Sequence, residues 1–158
     1  MKSCLIFHSY SGITRGVAQK VKAACGSDLI EVIPRKRYSN LTAYTVGSLR
    51  AMRGESDLID PETINVSSYD LIVIGTPVWA FRATPVINAA VAALKGFEGK
   101  KAVIFATCGG SPGETIPILK KALTGKGVTV IDAVVFTRKD LDAKTADLIT
   151  AIKTALPT

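Results

Sequence analysis

Ser9-Tyr10-Ser11-Gly12-Ile13-Thr14 follows the apolar run Cys4-Leu5-Ile6-Phe7 and precedes a stretch in which Val17, Ala18, Val21, Ala24 and Cys25 recur at helical spacing until Gly26. A β-branched and aromatic run over residues 3 to 8, then a glycine turn, then a 3.6-residue period reads as strand, loop and helix. The loop therefore lies where a helix begins, with backbone N–H groups that lack intrahelical partners and a positive dipole end. Hydroxyls and amides gathered at such a point suit a phosphate.

The rest of the chain repeats the same plan. Leu71-Ile72-Val73-Ile74 and Ala102-Val103-Ile104-Phe105 carry no charge, as strands covered on both faces do, so they belong in the centre of a sheet. Each is followed by a Gly/Thr-rich stretch that reads as a turn, Gly75-Thr76-Pro77-Val78-Trp79 and Thr107-Cys108-Gly109-Gly110. Leu29-Ile30-Glu31-Val32-Ile33 is a second strand with a charge inside it, which places it near an edge. Thr84-Pro85 reads as N-cap and first helical residue, followed by Ile87, Ala90, Val91 and Leu94 on one stripe before Gly96. Ile116, Leu119 and Leu123 repeat the pattern, Val128 to Phe136 makes a fifth strand, and Ile149, Ile152 and Leu156 mark a closing helix. Five strands separated by helices imply right-handed crossovers: an α/β, doubly wound five-stranded parallel sheet with helices on both faces. Ligands of such sheets bind beyond the carboxyl ends of the strands, where all three glycine-containing loops fall.

At 158 residues and 47% hydrophobic, the chain is long enough for a full core and is expected to form a single domain over residues 1–158. Its opening apolar run is too short for a signal peptide, and no window approaches the roughly 18 apolar residues of a membrane span, so a cytoplasmic location is expected. Cys4, Cys25 and Cys108 are odd in number and lack CxxC spacing, which argues against a disulfide framework and a zinc site. With His8 as the one histidine, no metal is expected. A formal net charge of +7 suits an anionic ligand, an acidic protein or a nucleic acid, and by itself selects none of them.

Residues 34 to 69, between the second and third strands, exceed an ordinary crossover. They contain an amphipathic segment (Leu41, Tyr44, Thr45, Ser48, Leu49, Met52) and a cluster of cations, Arg35, Lys36, Arg37, Arg50 and Arg53, with no acidic residue from 35 to 53.

Known phosphate loops narrow the choice. A Walker loop needs GxxxxGK[ST], and the first loop has no lysine in that role; a dinucleotide loop needs GxGxxG, and only one glycine precedes Thr14. Receiver domains require clustered acids after the first strand and an aspartate ending the third, where this chain has His8-Ser9 and Gly75-Thr76. What remains is a set of hydroxyls and amides suited to a phosphate monoester without metal, with a tryptophan at the second loop.

In these residues the chain resembles the flavodoxin family, specifically its short-chain, FMN-binding members. The family's first loop reads roughly [ST]-x-[ST]-G-x-T, and residues 9 to 14 match it throughout. The resemblance spans nearly the whole chain and implies strand order 2-1-3-4-5, with FMN as cofactor. Carried over position by position, Ser9, Tyr10, Ser11, Gly12, Ile13 and Thr14 would bind the FMN phosphate. Thr76, Pro77, Val78, Trp79 and Ala80, with Thr107, Cys108, Gly109 and Gly110, would flank the isoalloxazine ring. Trp79 matches a position whose aromatic ring covers one flavin face, a stacking worth about 0.5 to 1.5 kcal/mol beyond area burial.

The chain also departs from the family. Members commonly have a second aromatic, often tyrosine, in the third loop, and Cys108 to Gly113 contains none, which leaves one flavin face open to a substrate. Electron-carrying members are typically acidic around the flavin, whereas this chain is basic and has Arg82 beside the second loop. By Coulomb's law such cations favour the reduced anionic flavin, so the second-electron potential is expected to be less negative than in acidic relatives.

Each residue also has a plainer explanation. Ser11 and Thr14 could cap a helix, and Trp79 could be a packing aromatic. Cys108 reads best as a small buried hydrophobe, because no neighbouring base or cation lowers its pKa. His8 reads as a packed or hydrogen-bonded histidine, and the cations of 35 to 53 as a solvated face, with an acidic partner or a nicotinamide phosphate as the functional alternative. The leading expectation is an FMN-binding electron carrier. An FMN-dependent oxidoreductase using NAD(P)H and a quinone-type acceptor, and a non-redox phospholigand-binding domain, are the alternatives. The partner is then a redox protein or those small molecules, with no nucleic acid and no catalytic side chain assigned.

Overall fold

The structure is a computed structural model that describes residues 1–156. The first strand, β1 (Ser3–Phe7), is buried along its whole length and hydrogen-bonded in parallel to a strand on either side. The first crossover passes through α1 (Ile13–Cys25) to β2 (Asp28–Glu31) at one edge. The second returns across β1 to β3 (Leu71–Trp79), and α2 (Pro85–Ala92) leads on to β4 (Lys101–Thr107). Finally α3 (Thr115–Gly125) leads to β5 (Thr129–Phe136), and α4 (Leu141–Ala155) closes the described chain. The order across the sheet is 2-1-3-4-5 with every neighbouring pair parallel, as the family resemblance implied.

Alternation along the strands sorts the core into two layers. Cys4, Ile6, Ile72, Ile74 and Ile104 face α2 and α3, where Val86, Ile87, Ala90, Leu119 and Leu123 complete one cluster. Leu5, Phe7, Val73, Val103 and Phe105 face α1 and α4, against Val17, Ala18, Val21, Leu148 and Ile152. The central strands are uncharged because both faces are covered. The edge strands β2 and β5 are partly exposed and carry Asp28, Glu31 and Asp132. β5 has a register shift between Val130 and Asp132 that leaves Ile131 exposed.

Four sequence expectations need correcting. Residues 75–79 do not form a turn. β3 runs on to Trp79, and the chain reverses only at Ala80–Phe81, with Trp79 pairing antiparallel to Arg82. Gly75 serves close packing instead, since a Cβ there would lie 2.2 Å from Cζ of Phe105. The second strand stops at Glu31, after which Ile33–Pro34 pairs with Ile59–Asp60 in a separate two-stranded ribbon. Leu94 leaves α2 to pair in parallel with Ile64. Val128 precedes β5 and is not part of it.

The long segment between β2 and β3 holds a helical stretch: Asn40–Thr42, a π turn over Ala43–Gly47, and Ser48–Met52. Its buried residues are Ala43, Gly47 and Ala51, spaced by four, and its large apolar residues Leu41, Tyr44, Leu49 and Met52 face solvent. Small residues are needed on the inner side because Gly47 abuts Trp79 and Tyr38. None of the described helices is long and apolar enough to cross a membrane.

Candidate functional site

A cavity of about 340 Å³ opens at the carboxyl ends of β1, β3 and β4. Tyr10, Ser11 and Ile13 from the first loop line it, with Pro77, Val78 and Trp79 at the end of β3, Thr107 at the end of β4, and Cys108 and Gly109 just after it. Nine of the residues singled out by sequence thus come together on one rim. Ser9, Gly12, Thr14, Thr76, Ala80 and Gly110 stand behind or beside the lining.

The first loop is built on Gly12, the N-cap of α1, which adopts a left-handed backbone with φ +97° and ψ −9° that glycine adopts without steric cost. No side chain caps α1 from the N-cap position. Ser9 takes over from outside, its Oγ accepting from the N–H groups of Gly12 and Arg15 at 3.2 Å each. The N–H groups of Ile13 and Thr14 lie in the first turn, where helix geometry offers them no carbonyl. Ser11, exposed beside them, is not a capping residue. Thr14 is only 2% exposed and its hydroxyl meets that of Thr107 at 2.9 Å, tying the first loop to the third.

His8 links the first loop to the second. It is 3% exposed, and its Nδ1 lies 2.9 Å from Oγ1 of Thr84, the N-cap of α2, which also accepts from the N–H of Ile87. Burial, helped by the charge of Arg15, pushes its pKa down from 6.5 to about 4, so the ring is neutral at physiological pH. Thr76 is fully buried, its hydroxyl donating to the carbonyl of Pro77 and accepting weakly from Thr84 N–H.

Trp79 is held by three edge-to-face contacts: Tyr38 at 5.1 Å, Tyr10 at 5.7 Å and His8 at 5.8 Å between ring centroids. Tyr10 is in turn anchored by its hydroxyl on Oδ1 of Asn40. The reversal after Trp79 uses Ala80 and Phe81 at φ +49° and +64°, a left-handed pair that costs non-glycine residues about 1 to 3 kcal/mol each. The third loop clamps this hairpin: Glu114 N–H donates to the Phe81 carbonyl at 3.0 Å, the Glu114 carboxylate pairs with Arg82, and a Cβ at Gly113 would strike Phe81 at 2.3 Å. Arg82 is therefore not the free cation that its place in the sequence implies.

In the third loop, the Cys108 N–H and Sγ both donate to the Phe136 carbonyl, at 2.9 and 3.3 Å. Desolvation and then Asp140 raise its thiol pKa, consistent with an inert packing role, although Cys108 is only partly buried. A Cβ added at Gly109 or Gly110 would meet nothing within 4 Å, so the backbone there faces open space.

Five lining residues, Tyr44, Phe136, Thr137, Arg138 and Leu141, were not assigned to the site from sequence, and two of them add aromatic surface and charge. Tyr44, 88% exposed on the π turn, adds an aromatic ring to the lining. Its one signal was membership of the amphipathic repeat at 41–52. Arg138, just past β5, is the cation of the cavity rim and has no ion-pair partner among the described residues. The end of the fifth predicted strand on the same rim was the clue to it. Metal-ligand clusters are absent among the described residues.

A flavodoxin family model matches residues 2–126. The chain belongs to the flavodoxin family. Three solved structures illustrate the relationship. A flavoprotein candidate from Bacteroides eggerthii is 29% identical, with 94% of this chain and 98% of that one covered and a TM-score of 0.78. A Lactobacillus acidophilus flavoprotein in complex with FMN is 22% identical, with coverage of 91% and 98% and a TM-score of 0.69. Megasphaera elsdenii flavodoxin, in its two-electron reduced state, is 20% identical, with coverage of 96% and 98% and a TM-score of 0.62. The last two show common fold alone. Comparison with the curated proteins finds no match. The family match stops at residue 126, and the B. eggerthii structure covers 94% of this chain.

Proposed function

We propose that this flavodoxin-family protein binds FMN in the 340 Å³ cavity and carries electrons between protein partners in the cytoplasm. The observation that carries the reading is the first loop: a left-handed Gly12 opens α1, Ser11 and Ile13 line the cavity, the first-turn amides of Ile13 and Thr14 have no intrahelical carbonyl, and no carboxylate among the described residues lines the cavity. That donor set fits a phosphate monoester dianion, and the helix dipole adds to it. Further support comes from Trp79 and Tyr44, which offer aromatic surface at a strand end and on the facing π turn. The L. acidophilus relative is a complex with FMN.

When bound, FMN supplies reversible one- and two-electron chemistry. The chain's own residues do the rest. Ser11 and the amides of Ile13 and Thr14 hold the phosphate, Trp79 orients the ring plane through its three aromatic supports, and Arg138 adds positive charge at the rim. Extraction of the small molecule from purified protein, with mass spectrometry and an absorbance scan, tests the assignment. FMN in about equal amount to protein is the expected result, and protein that stays colourless after FMN is added would leave only a non-redox ligand-binding role.

An NAD(P)H-dependent oxidoreductase with a quinone-type acceptor is the second reading, favoured by the open backbone at Gly109 and Gly110, which leaves room beside the ring. Steady-state NAD(P)H oxidation with quinone separates the two: turnover supports the enzyme, and its absence supports the carrier.

A further inference from the structure

A second and larger cavity, about 650 Å³, lies between the arm 34–38 and the helical stretch 40–52, within the size range of small-molecule sites. Arg35, Lys36 and Arg37 form one wall, and Arg50 stands opposite. Pro34, Val46 and Leu58 give it apolar surface.

The cations differ in availability. Arg35 is paired with Glu62. Arg50 is fixed in place, with its guanidinium on Asp57, on the Ser56 carbonyl and on the Tyr38 hydroxyl. Asp57, whose side chain is 6% exposed, also accepts from Tyr38 at 2.7 Å. Desolvation and that hydrogen bond raise the Tyr38 pKa to about 12, so the phenol stays neutral and the network stays locked. Lys36 and Arg37 have no carboxylate partner among the described residues.

Arg50 is neutralised by Asp57 and Glu55, so the groove offers two uncommitted cations, Lys36 and Arg37, with apolar walls, and matches a ligand that combines phosphate with a flat ring. Arginine binds phosphate in a fork and stacks on aromatic planes. Inorganic phosphate would leave the apolar walls unused. A second copy of the chain would bring another net charge of +7 against the first. We infer that this groove binds a phosphorylated nucleotide, at a site separate from the FMN cavity but sharing a wall with it. The shared wall is Tyr38, which lines the groove while its ring packs on Trp79 of the other cavity. The inference does not depend on FMN being the ligand next door.

Isothermal titration with ADP and with NADPH, on protein with and without added FMN, tests the site. Micromolar binding of at least one nucleotide is expected, weakened tenfold or more in the double variant Lys36→Glu/Arg37→Glu, whose substitutions lie on exposed side chains. The urea-unfolding midpoint of that variant should match the parent protein, which shows that it is folded. Three results would overturn the inference: no binding of either nucleotide at millimolar concentration, equal affinity in the variant, or full displacement of the nucleotide by inorganic phosphate or by FMN.

Discussion

Gly47 and Trp79 meet so closely that a methyl group on Gly47 would fall 2.8 Å from Cζ3 of the indole and 3.0 Å from Cε1 of Tyr38. The contact joins the segment inserted between β2 and β3 to the rim of the cavity. Gly47→Ala gains up to about 1 kcal/mol in helix propensity and loses about 1 to 3 kcal/mol to overpacking against two rings. Net destabilisation with weaker FMN binding is expected, measured by urea unfolding and flavin titration. Parent-like values in both assays would show that Trp79 is not held by this contact.

Thr14 and Thr107 predict a coupled pair. Thr14→Val leaves the nearly buried Thr107 hydroxyl without its partner and should cost about 1 to 3 kcal/mol of stability in flavin-free protein. The double variant with Thr107→Val should recover part of that loss. A double-mutant cycle by chemical denaturation checks it, and strict additivity would contradict the bond.

Ser11 should behave in the opposite way. It is exposed and lines the cavity, so Ser11→Ala is expected to leave unfolding unchanged and to weaken FMN by about 1.5 to 3 kcal/mol, the range for a hydrogen bond to a charged group. Unchanged FMN affinity would place the phosphate elsewhere.

His8 sets a pH dependence. Its folded pKa, about 4, lies below the ordinary 6.5, so between those values the unfolded chain binds more protons. Stability is then full above about pH 6.5 and falls as pH drops toward 4, by about 2 kcal/mol at pH 5. Denaturation midpoints at pH 7 and 5 should show this loss in the parent and a smaller one in His8→Gln. An equal loss in both would assign the effect to other groups.

Arg138 carries the electrostatic prediction. With Arg82 engaged by Glu114, the rim cation is Arg138, and Arg138→Gln should make the second-electron potential of bound FMN more negative. The shift should shrink as salt is added, because the side chain is exposed. A redox titration in which the variant and the parent coincide at low salt would remove Arg138 from the flavin's electrostatics.

Much of this was legible locally. The uncharged runs at 71–74 and 102–105 marked the sheet centre because strands covered on both faces have nowhere to place a charge. The order of glycine and hydroxyls at residues 9 to 14 marked the turn that opens α1, because turn chemistry and the start of a helix are short-range properties. Gly75 misled because glycine signals either a turn or a close approach, and only the position of Phe105 tells which. Arg82 misled for a similar reason, since Glu114 is distant in sequence and adjacent in space.

Residue order by itself determined the alternation of strands and helices and the rim on which three loops assemble, because hydrophobic period and turn chemistry act over a few residues. Tertiary structure alone decided which groups share that rim. Tyr44 and Arg138 reach the cavity, Thr14 turns inward to Thr107, and the helical stretch at 40–52 shows its large apolar residues to solvent while small Ala43, Gly47 and Ala51 are buried, Gly47 directly against Trp79. Those outcomes depend on contacts between segments tens of residues apart, which no local pattern encodes.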